Sequence, residues 1–384
     1  MWYVLKLILP YYARRYKLIR FCLKVFKYGM NLIYTIFKLK KNRNKVILLS
    51  RQSNQASLDF ILLKNKLIEE GFEVKIICKK LGEGIANKIG YVFNMVYAMY
   101  HLADSKFCFI DGYSIPVSIL KHKKGLIVIQ IWHALGAIKK FGYQILNKAE
   151  GSSVKIADIL NMHKNYTYVV CSSKKTRDTY SKTFKINNRK IKVVGMPRVD
   201  YLNDLKNRYN KDIYIDYPFL KEKKNIVYVP TFRKTENVKY NQLIDAINKD
   251  KYNIIVKLHP LDKNKNNIDS KYLVSDKYTS YDVLAVADYI ITDYSAIGIE
   301  ASILNKPLYF YLYDYKKYIK RRGLNIDLFK EMRSSTFINA NDLIESLTKN
   351  KYNYNELMKF RKTYVETIGF NNTDAIIKLM KGQV

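Results

Sequence analysis

Five predicted strands end in polar groups whose side chains include histidine, arginine or serine. The groups are Trp132-His133, Pro197 to Asp200, Pro230 to Arg233, Lys257 to Pro260 and Thr292 to Ser295. In parallel sheets, ligands bind outside the carboxyl ends of the strands. We therefore expect His133 and His259 to meet across a cleft, where an imidazole that titrates near neutrality serves as an acid or a base. A structural hydrogen-bonding role is the alternative for either histidine.

The stretch YIITDYSAIGIEA at 289–301 predicts a turn that holds a diphosphate. An apolar strand stops on polar residues, and the helix that follows offers free backbone N–H groups, which bind anions. Gly298 lets the backbone approach closely, and Glu300 is placed to accept hydrogen bonds from ribose hydroxyls. The alternative is a plain serine-capped helix packed on the sheet. The residues expected to form the turn are Thr292, Asp293, Ser295, Ala296 and Ile297.

Metal and cofactor chemistry is not indicated by the sequence. There is no Walker motif, and LGEGIANKIG at 81–90 lacks the spacing of a dinucleotide-binding GxGxxG. The sequence also has no DxD, no HExxH or HxxxH and no clustered carboxylates, so neither a metal nor a cofactor is expected. Side chains must then bind the phosphates, and for the Arg321-Arg322 pair a solvated position is equally open. The candidates are Thr231, Arg233, Lys257, Arg321 and Arg322.

The net charge is strongly positive, because 68 Lys and Arg residues oppose 33 Asp and Glu residues to give +35. Such a charge predicts an acidic partner, which is nucleic acid, an anionic membrane surface or a phosphate-rich substrate. No RNA- or DNA-reading motif is present, so nucleic acid is disfavoured. Part of the excess also reflects a composition rich in Lys, Asn, Ile and Tyr. The four cysteines are widely spaced, which indicates a reducing cytoplasm and no disulfide framework.

The segment 1–43 predicts a basic amphipathic helix that lies on a membrane surface. Its longest uncharged run, 28–37, is far short of the roughly 18–20 apolar residues that a spanning helix needs. A helix packed on the core, with a solvated basic face, is the alternative. On a helical projection, Lys17, Arg20, Lys24 and Lys27 fall on one stripe, and Leu18, Phe21, Cys22, Val25 and Phe26 fall on the other side.

The rest of the sequence alternates short apolar runs with helical segments, which predicts βαβ units and parallel sheets. Two such series occur. The first contains the runs at 45–50, 73–78, 106–112, 126–133, 166–173 and 190–200, and the second contains those at 225–233, 252–260, 271–276, 289–295 and 307–314. We therefore expect a basic segment at 1–43, a Rossmann-like domain at 44–205, a linker at 206–222 and a second Rossmann-like domain at 223–384.

Together these motifs resemble the CDP-glycerol glycerophosphotransferase family, the polyol-phosphate transferases that build teichoic acid. The resemblance covers about 130–325. Its last block is the most specific, because Asp-Tyr-Ser, an acid, Leu-Asn-Lys-Pro, Tyr-Asp and Arg-Gly recur in that family at this spacing. The stretches that carry it are WHALGAIKKFG at 132–142, CSSKKTRDTYSKTF at 171–184, VVGMPRVDYL at 193–202, VYVPTFR at 227–233, VKLHP at 256–260 and 286–323.

The resemblance implies a GT-B-like architecture, with two Rossmann-type doubly wound parallel-sheet domains and a cleft between them. It implies a peripheral enzyme at the cytoplasmic face of the cell membrane. The implied reaction moves a polyol phosphate, with glycerol phosphate favoured, from a CDP-activated donor to a hydroxyl of a lipid-linked acceptor and releases CMP. The first domain is expected to face the acceptor, and the second to bind the donor.

Residue roles follow from the same resemblance. His133 matches the histidine of the family's Trp-His motif, taken to be the base, and His259 matches the second essential histidine. Ser295 and its neighbours match the pyrophosphate cradle, and Arg233 matches the basic residue after the Pro-Thr motif. A primary alcohol is a poor nucleophile at neutral pH, so attack on the β-phosphorus needs such a base.

One departure from the family pattern concerns the acceptor side. Many members have Trp-His-Gly-Thr-Pro where this chain has Trp-His-Ala-Leu-Gly at 132–136. The acceptor, and whether the enzyme primes or extends a polymer, are therefore open. Three rival functions are a CDP-ribitol ribitolphosphotransferase, a GT-B glycosyltransferase that uses a UDP-sugar, and a basic nucleic-acid-binding protein.

Overall fold

Two parallel β-sheets form the framework of the chain. The computed structural model describes residues 2–232, 239–259, 262 and 267–383, with the backbone alone for 2–16. The first sheet contains β1 (Lys45–Ser50), β2 (Glu73–Cys78), β3 (Phe107–Ile110), β4 (Ile127–Gln130), β5 (Tyr168–Cys171) and β6 (Ile191–Val193). The second contains β7 (Lys224–Tyr228), β8 (Tyr252–Val256), β9 (Tyr289–Thr292), β10 (Leu308–Tyr311) and β11 (Thr336–Phe337).

Helices connect and cover these strands. Those up to the end of the first sheet are α1 (Trp2–Phe37), α2 (Leu58–Glu69), α3 (Ile85–Leu102), α4 (Ile115–Ile119), α5 (Val154–Ile159) and α6 (Lys174–Phe184). The next are α7 (Pro197–Asn203), α8 (Leu205–Arg208), α9 (Ile213–Asp216), α10 (Tyr240–Ala246), α11 (Ser280–Ala285) and α12 (Ile297–Ala301). The last are α13 (Tyr315–Arg321), α14 (Leu328–Glu331), α15 (Ala340–Thr348), α16 (Tyr354–Tyr364) and α17 (Asn372–Met380).

The two sheets share one topology. Their orders are β2-β1-β3-β4-β5-β6 and β11-β10-β9-β7-β8, and every pairing is parallel. In each sheet, the chain adds the second strand on one side of the first strand and all later strands on the other side. The strand order therefore reverses between β1 and β3 and between β7 and β9. Ligands bind at such reversal points. The predicted GT-B-like pair of Rossmann-type units is confirmed.

Two strand predictions in the second sheet need correction. The segment 271–276 was predicted to be a strand, but it begins as a 3-10 turn (Ser270–Tyr272) and pairs only through a single bridge between Leu273 and Val256. The apolar residues in it, Leu273 and Val274, cover the sheet edge instead. The strand β11 was missed because it is only two residues long.

Both ends of the chain pack on the first sheet. Met30 and Tyr34 of α1 are 4% and 1% exposed and belong to its core, as do residues of α3 on the same face. On the opposite face, Ile376 and Ile377 of α17 pack with β1 and α2. The prediction of one domain over 223–384 did not include this return of the last helix to the first unit.

The outer face of α1 is apolar and exposed. Its large exposed side chains recur every three or four residues, the spacing of one helical face. No helix among the described residues has the length and apolar character needed to cross a membrane. The exposed apolar side chains on this face are Leu18, Phe21, Val25, Tyr28, Leu32 and Ile36.

Candidate active site

A cavity of about 640 Å³ lies between the two sheets at the carboxyl ends of their strands. Both units supply its walls, so the cavity is the cleft that the sequence predicts. The expected site residues that line it are Thr231, Lys257, His259, Ser295, Ala296, Ile297, Glu300, Arg322 and His133. Arg233 lies outside the described residues.

His133 follows β4 and presents its ring to the cleft. Its Nδ1 lies 2.9 Å from the backbone carbonyl oxygen of Asp111 at the end of β3. A carbonyl oxygen only accepts, so Nδ1 carries the proton and the neutral ring keeps the lone pair of Nε2. The neighbouring strand thereby fixes both the tautomer and the orientation of the ring. This is the form that a general base requires.

The backbone before His133 is held in an uncommon conformation. Trp132 has a φ of 60°, in the left-handed region that bulky residues avoid. Its N–H donates to the Gln130 side chain at 2.8 Å, and its indole stacks on Phe141 at a centroid distance of 4.4 Å. These contacts compensate the local strain, which occurs at the residue that aims the candidate base.

The cleft environment keeps His133 uncharged. Its pKa is lowered to about 4, chiefly by desolvation against the cleft walls; Arg198, Lys139 and Arg51 contribute to the lowering, and the hydrogen bond to the Asp111 carbonyl opposes it. His133 is nevertheless exposed to the open cleft, and an anion bound there would raise the pKa of its ring. At neutral pH, His133 in the protein without ligand is therefore uncharged and able to accept a proton.

His259 follows β8 in the second unit and also lines the cleft. Its ring lies 5.5 Å from that of Phe232, centroid to centroid. Desolvation lowers its pKa, and the positive charges of Lys139 and Lys80 act in the same direction, whereas Asp262 raises it. Lys139 of the first unit thus acts on both histidines, which places the two rings in one electrostatic environment.

The turn after β9 separates into a supporting part and a cleft-facing part. Thr292 and Asp293 are fully buried, so the prediction that they contact substrate needs correction. The hydroxyl of Thr292 donates to the Val229 carbonyl at 2.7 Å, and Asp293 Oδ1 accepts from the Thr231 N–H at 2.8 Å. These bonds tie the end of β9 to the end of β7 and hold the cleft-facing segment Ser295 to Ile297 above them.

Ser295 does not cap α12 in the predicted way. The N-cap position belongs to Ala296, and the Ser295 hydroxyl accepts only a long bond, 3.4 Å, from the Ile297 N–H. The close approach made possible by Gly298 is to the sheet, because a Cβ there would lie 2.7 Å from the Phe310 ring. Ser295 itself lines the cleft.

Glu300 lines the cleft but is already engaged. Its Oε1 accepts from Arg198 Nη1 at 2.6 Å, and its Oε2 accepts from the Tyr281 hydroxyl at 2.9 Å. Arg198 also binds both oxygens of Asp59 through its backbone N–H and guanidinium, and donates to the His133 carbonyl at 3.3 Å. A carboxylate has about four acceptor positions, so Glu300 retains acceptor capacity for a ribose hydroxyl.

The basic residues of the second unit are also partnered. Lys257 is 5% exposed, donates to the Ser275 carbonyl at 2.9 Å and pairs with Asp276 at 3.2 Å. Its side chain is held at the cleft floor and does not reach freely into the cavity. The predicted contact between Lys257 and a phosphate stays a prediction from the sequence.

The predicted arginine pair is bound to an acidic residue of the first unit. Arg321 and Arg322 bind the two carboxylate oxygens of Glu150 at 2.5 and 2.6 Å, respectively. Arg322 Nε also donates to the Lys140 carbonyl at 3.1 Å. Glu150 and Lys140 belong to the first unit, so this pair joins the two units, and the expectation of a solvated pair needs correction. Arg322 also lines the cleft, so a phosphate contact by it stays a prediction.

Three cleft residues, Gln52, Lys139 and Tyr281, were not predicted from the sequence, and Arg198 was predicted only as part of the polar group 197–200. Arg198 belongs to the motif at 193–202 and Lys139 to the motif at 132–142, but the spacing of residues in these motifs does not indicate that they act on the histidines. Gln52 and Tyr281 belong to segments without a motif, and only the fold brings them to the cleft. Among the described residues, no group of three or more His, Cys, Asp or Glu side chains is arranged to hold a metal ion.

Comparisons with known proteins agree with this architecture. A family model described as CDP-Glycerol:Poly(glycerophosphate) glycerophosphotransferase matches residues 32–380. A teichoic acid ribitol-phosphate primase of Bacillus spizizenii is 31% identical over 304 residues, which cover 74% of this chain and 77% of that protein. A teichoic acid glycerol-phosphate primase of Bacillus subtilis is 28% identical over 378 residues, covering 93% and 97%.

A solved structure of the wall teichoic acid polymerase TagF has the same fold. It superimposes with a TM-score of 0.70 at 16% identity and covers 95% of this chain and 97% of that chain. A poly(ribitol-phosphate) polymerase of Bacillus spizizenii is longer, and the match spans 57% of its length at 29% identity. On the extent of the family match and the identity to the ribitol-phosphate primase, the chain belongs to the CDP-glycerol:poly(glycerophosphate) glycerophosphotransferase family.

Proposed function

We propose that the protein transfers a polyol phosphate from a CDP-activated donor to a hydroxyl of a membrane lipid-linked acceptor, in the synthesis of teichoic acid or a related cell-surface polymer. The observation that carries this proposal is the neutral, oriented His133 at the edge of a cleft between two Rossmann-type units. Membership of the family supports the donor class.

The donor is proposed to bind against the second unit. The cavity of about 640 Å³ is large enough for a nucleotide with a small polyol, since ligand pockets run from about 300 to 1,000 Å³. Ser295, Ala296 and Ile297 line that cavity, and their backbone N–H groups and the Ser295 hydroxyl are the proposed donors for the diphosphate. Thr231 also lines the cavity, but its N–H is bound to Asp293 and its hydroxyl oxygen is buried. Glu300 is the proposed acceptor for the ribose. Arg233 lies outside the described residues, and its phosphate-binding role stays a prediction from the sequence.

In the proposed reaction the acceptor hydroxyl attacks the phosphorus that carries the polyol. A new P–O bond forms to the acceptor oxygen, and the bond from the same phosphorus to the bridging oxygen breaks, so that CMP leaves. The hydroxyl proton moves to Nε2 of His133. His259 and the N–H groups after Ser295 stabilise the negative charge that develops on the leaving oxygen.

The acceptor is proposed to approach from the membrane surface. The first 44 residues contain eleven Lys or Arg residues and no Asp or Glu, which favours an anionic leaflet. The exposed apolar face of α1 supplies the hydrophobic part of such an interaction, with Phe21 at 64% and Leu32 at 60% exposed. Peripheral attachment at the cytoplasmic face then places the cleft close to lipid-linked acceptors.

Glycerol phosphate is the transferred group that we propose first. Ribitol phosphate is the second candidate, because a relative named as a ribitol-phosphate primase is 31% identical to this chain. The two donors differ only in polyol length, and none of the cleft residues described above separates them.

A donor panel tests the reaction class. Purified protein, a membrane extract as acceptor, and CDP-glycerol, CDP-ribitol or UDP-sugars are combined, and release of CMP or UDP is measured. Acceptor-dependent CMP release from one CDP-polyol is the expected result and names the polyol. Release of UDP from a sugar donor, with no CMP release, would overturn the proposal and indicate a glycosyltransferase.

A further inference from the structure

The first unit repeats the layout of the candidate donor turn. In the second unit, β9 ends in Asp-Tyr-Ser at 293–295, followed by α12. In the first unit, the equivalent strand β3 is followed by Asp-Gly-Tyr-Ser at 111–114 and then by α4. The two strands occupy the same position, because each is paired with the first strand of its sheet at the point where the strand order reverses. Such a point is the expected ligand position in each unit.

A narrow recess opens at this position in the first unit. We call it the Arg51 recess, and its polar walls are Ser50, Arg51, Lys79, Asn94, Tyr113 and Ser114. Its volume of about 30 Å³ exceeds the roughly 10–15 Å³ that one bound water requires. It is far below the roughly 300–1,000 Å³ of pockets that enclose larger ligands, so it has room for one small polar group and not for a nucleotide.

Arg51 forms no ion pair with the described side chains around this recess. Its guanidinium lies 5.6 Å from the centre of the Tyr113 ring, a cation–π distance. Among the side chains that the structure describes, which are those of residues 17–232, 239–259, 262 and 267–383, none forms an ion pair or a hydrogen bond with that of Arg51. A half-buried arginine with its donors unused is suited to an oxyanion, because the planar fork matches carboxylate and phosphate geometry.

The recess adjoins the candidate base. The Asp111 carbonyl that orients His133 is followed directly by Gly112, which lines the recess. Gln52 lines the cleft and packs so closely on Gly112 that a Cβ there would lie 2.6 Å from its amide nitrogen. The positive charge of Arg51 also contributes to lowering the pKa of His133. A group held by Arg51 thus lies beside the cleft on the first-unit side.

One wall of the Arg51 recess is formed by α3, whose opposite side carries exposed apolar side chains. Tyr91 and Met95 of α3 line the recess, whereas Ile85 and Phe93 of the same helix are 78% and 70% exposed. The helix packs beside α1, with the rings of Phe37 and Tyr100 5.6 Å apart. A ligand with a polar end in the recess can therefore keep an apolar end on the exposed faces of α1 and α3.

We propose that the Arg51 recess binds a phosphate of the acceptor, close to the hydroxyl that His133 activates. This inference rests on the proposed function. An acceptor recognised in this way already carries a polyol phosphate at its growing end, because only then does an anion lie a few bonds from the attacking hydroxyl. Lys79 at the rim adds a second positive charge for the same group.

Binding of a soluble probe tests the recess without relying on turnover. Glycerol 3-phosphate is titrated calorimetrically into the full chain in the presence of saturating CMP, which occupies the donor side of the cleft. Arg51→Gln is expected to weaken probe binding at least about tenfold. Arg189→Gln, which changes an exposed arginine of the same unit, is the matched control and is expected to bind the probe like the unchanged protein.

Kinetic measurements then distinguish a role of Arg51 in acceptor binding from a purely structural role. Arg51→Gln is expected to raise the KM for a polyol-phosphate acceptor at least about tenfold, with the KM for the CDP-polyol unchanged. Equal probe binding by Arg51→Gln and the unchanged protein, or a parallel loss of donor and acceptor affinity, would overturn the inference. If the donor panel gives no CMP release, the proposed function fails, and probe binding still decides whether the recess is an anion site.

Discussion

Arg198 donates from Nη1 to Oε1 of Glu300 at 2.6 Å, and this contact joins the two parallel-sheet units at the floor of the cleft. Arg198 is 8% exposed and Glu300 is 4% exposed, so the pair is shielded from water. The same guanidinium binds Asp59 of α2. One arginine therefore neutralises two buried carboxylates from different units and also contacts the carbonyl of His133.

The first prediction concerns removal of this buried cation. Arg198→Met leaves Asp59 and Glu300 buried without a counter-charge, and breaking a buried ion pair costs about 3–5 kcal/mol. We expect a melting temperature lower by several degrees, measured by scanning fluorimetry. Arg208→Met is the matched control, because Arg208 pairs with Asp204 on the surface and such a pair contributes at most about 1 kcal/mol. Equal melting temperatures for the two variants would mean that Arg198 does not hold the units together.

Much of the fold could be predicted from the sequence, because strand and helix patterns are local. The apolar runs that become β1 and β9 are buried strands, apart from Ser50 at the end of β1, and the polar residues that follow them mark the cleft edge. The repetition of these runs was enough to predict two parallel-sheet units. The return of α17 to the first unit could not be predicted, because it depends on which of two similar apolar surfaces the last helix covers.

The partners of charged side chains were the part that the sequence did not reveal. Arg321 and Arg322 are far from Glu150 in the chain, and only the packing of the two units brings them within 2.5 and 2.6 Å. For Glu300 the prediction of a cleft position was correct, but its bond to Arg198 was missed for the same reason. Thr292 and Asp293 occur in the same polar turn as Ser295, yet both residues are fully buried in the protein interior and do not line the cleft.

The second prediction tests His133 as the base. His133→Ala removes the acceptor of the hydroxyl proton, and loss of a general base lowers turnover by about 10²–10⁴-fold. CMP release and calorimetric binding of the CDP-polyol are both measured, and donor binding is expected to remain. His122→Gln is the control, since His122 binds Tyr34 and Val117 away from the cleft. Turnover that survives in His133→Ala would exclude His133 as the base.

The third prediction is the pH dependence that follows from His133. Desolvation lowers its pKa to about 4, and a base acts only without its proton, so activity is lost as pH falls through the pKa. We expect kcat/KM, which reports the free enzyme, to hold down to about pH 5. A bound diphosphate stabilises the imidazolium, so the acid limb of kcat lies at a higher pH than that of kcat/KM.

Two variants show which residue causes each limb of the pH profile. Burial raises the pKa of the Asp111 carboxyl to about 7, so any limb that vanishes in Asp111→Asn belongs to that residue. Lys139→Gln removes a positive charge that lowers the pKa of His133, and its acid limb in kcat/KM is expected to move to higher pH. A limb near about 6.5 in kcat/KM that persists in Asp111→Asn would contradict a desolvated His133.

The fourth prediction concerns attachment to the membrane through α1. Deleting the helix is a poor test, because Met30 and Tyr34 belong to the core of the first unit. Substituting serine for its exposed apolar side chains leaves that core intact. For Phe21, Val25 and Leu32 changed together, we expect a loss of about 1 kcal/mol per side chain and at least about 100-fold weaker binding to anionic vesicles, measured by co-sedimentation.

The control for α1 uses exposed apolar residues elsewhere on the surface. Ile215, Ile338 and Phe370 are 74%, 50% and 66% exposed and do not lie on α1 or α3, so changing all three to serine is expected to leave vesicle binding unchanged. If both triple variants lose binding equally, attachment depends on overall hydrophobicity and not on this helix. If only the α1 variant detaches and it still releases CMP from a soluble acceptor, the helix serves to bring the cleft to lipid-linked acceptors and takes no part in the chemistry.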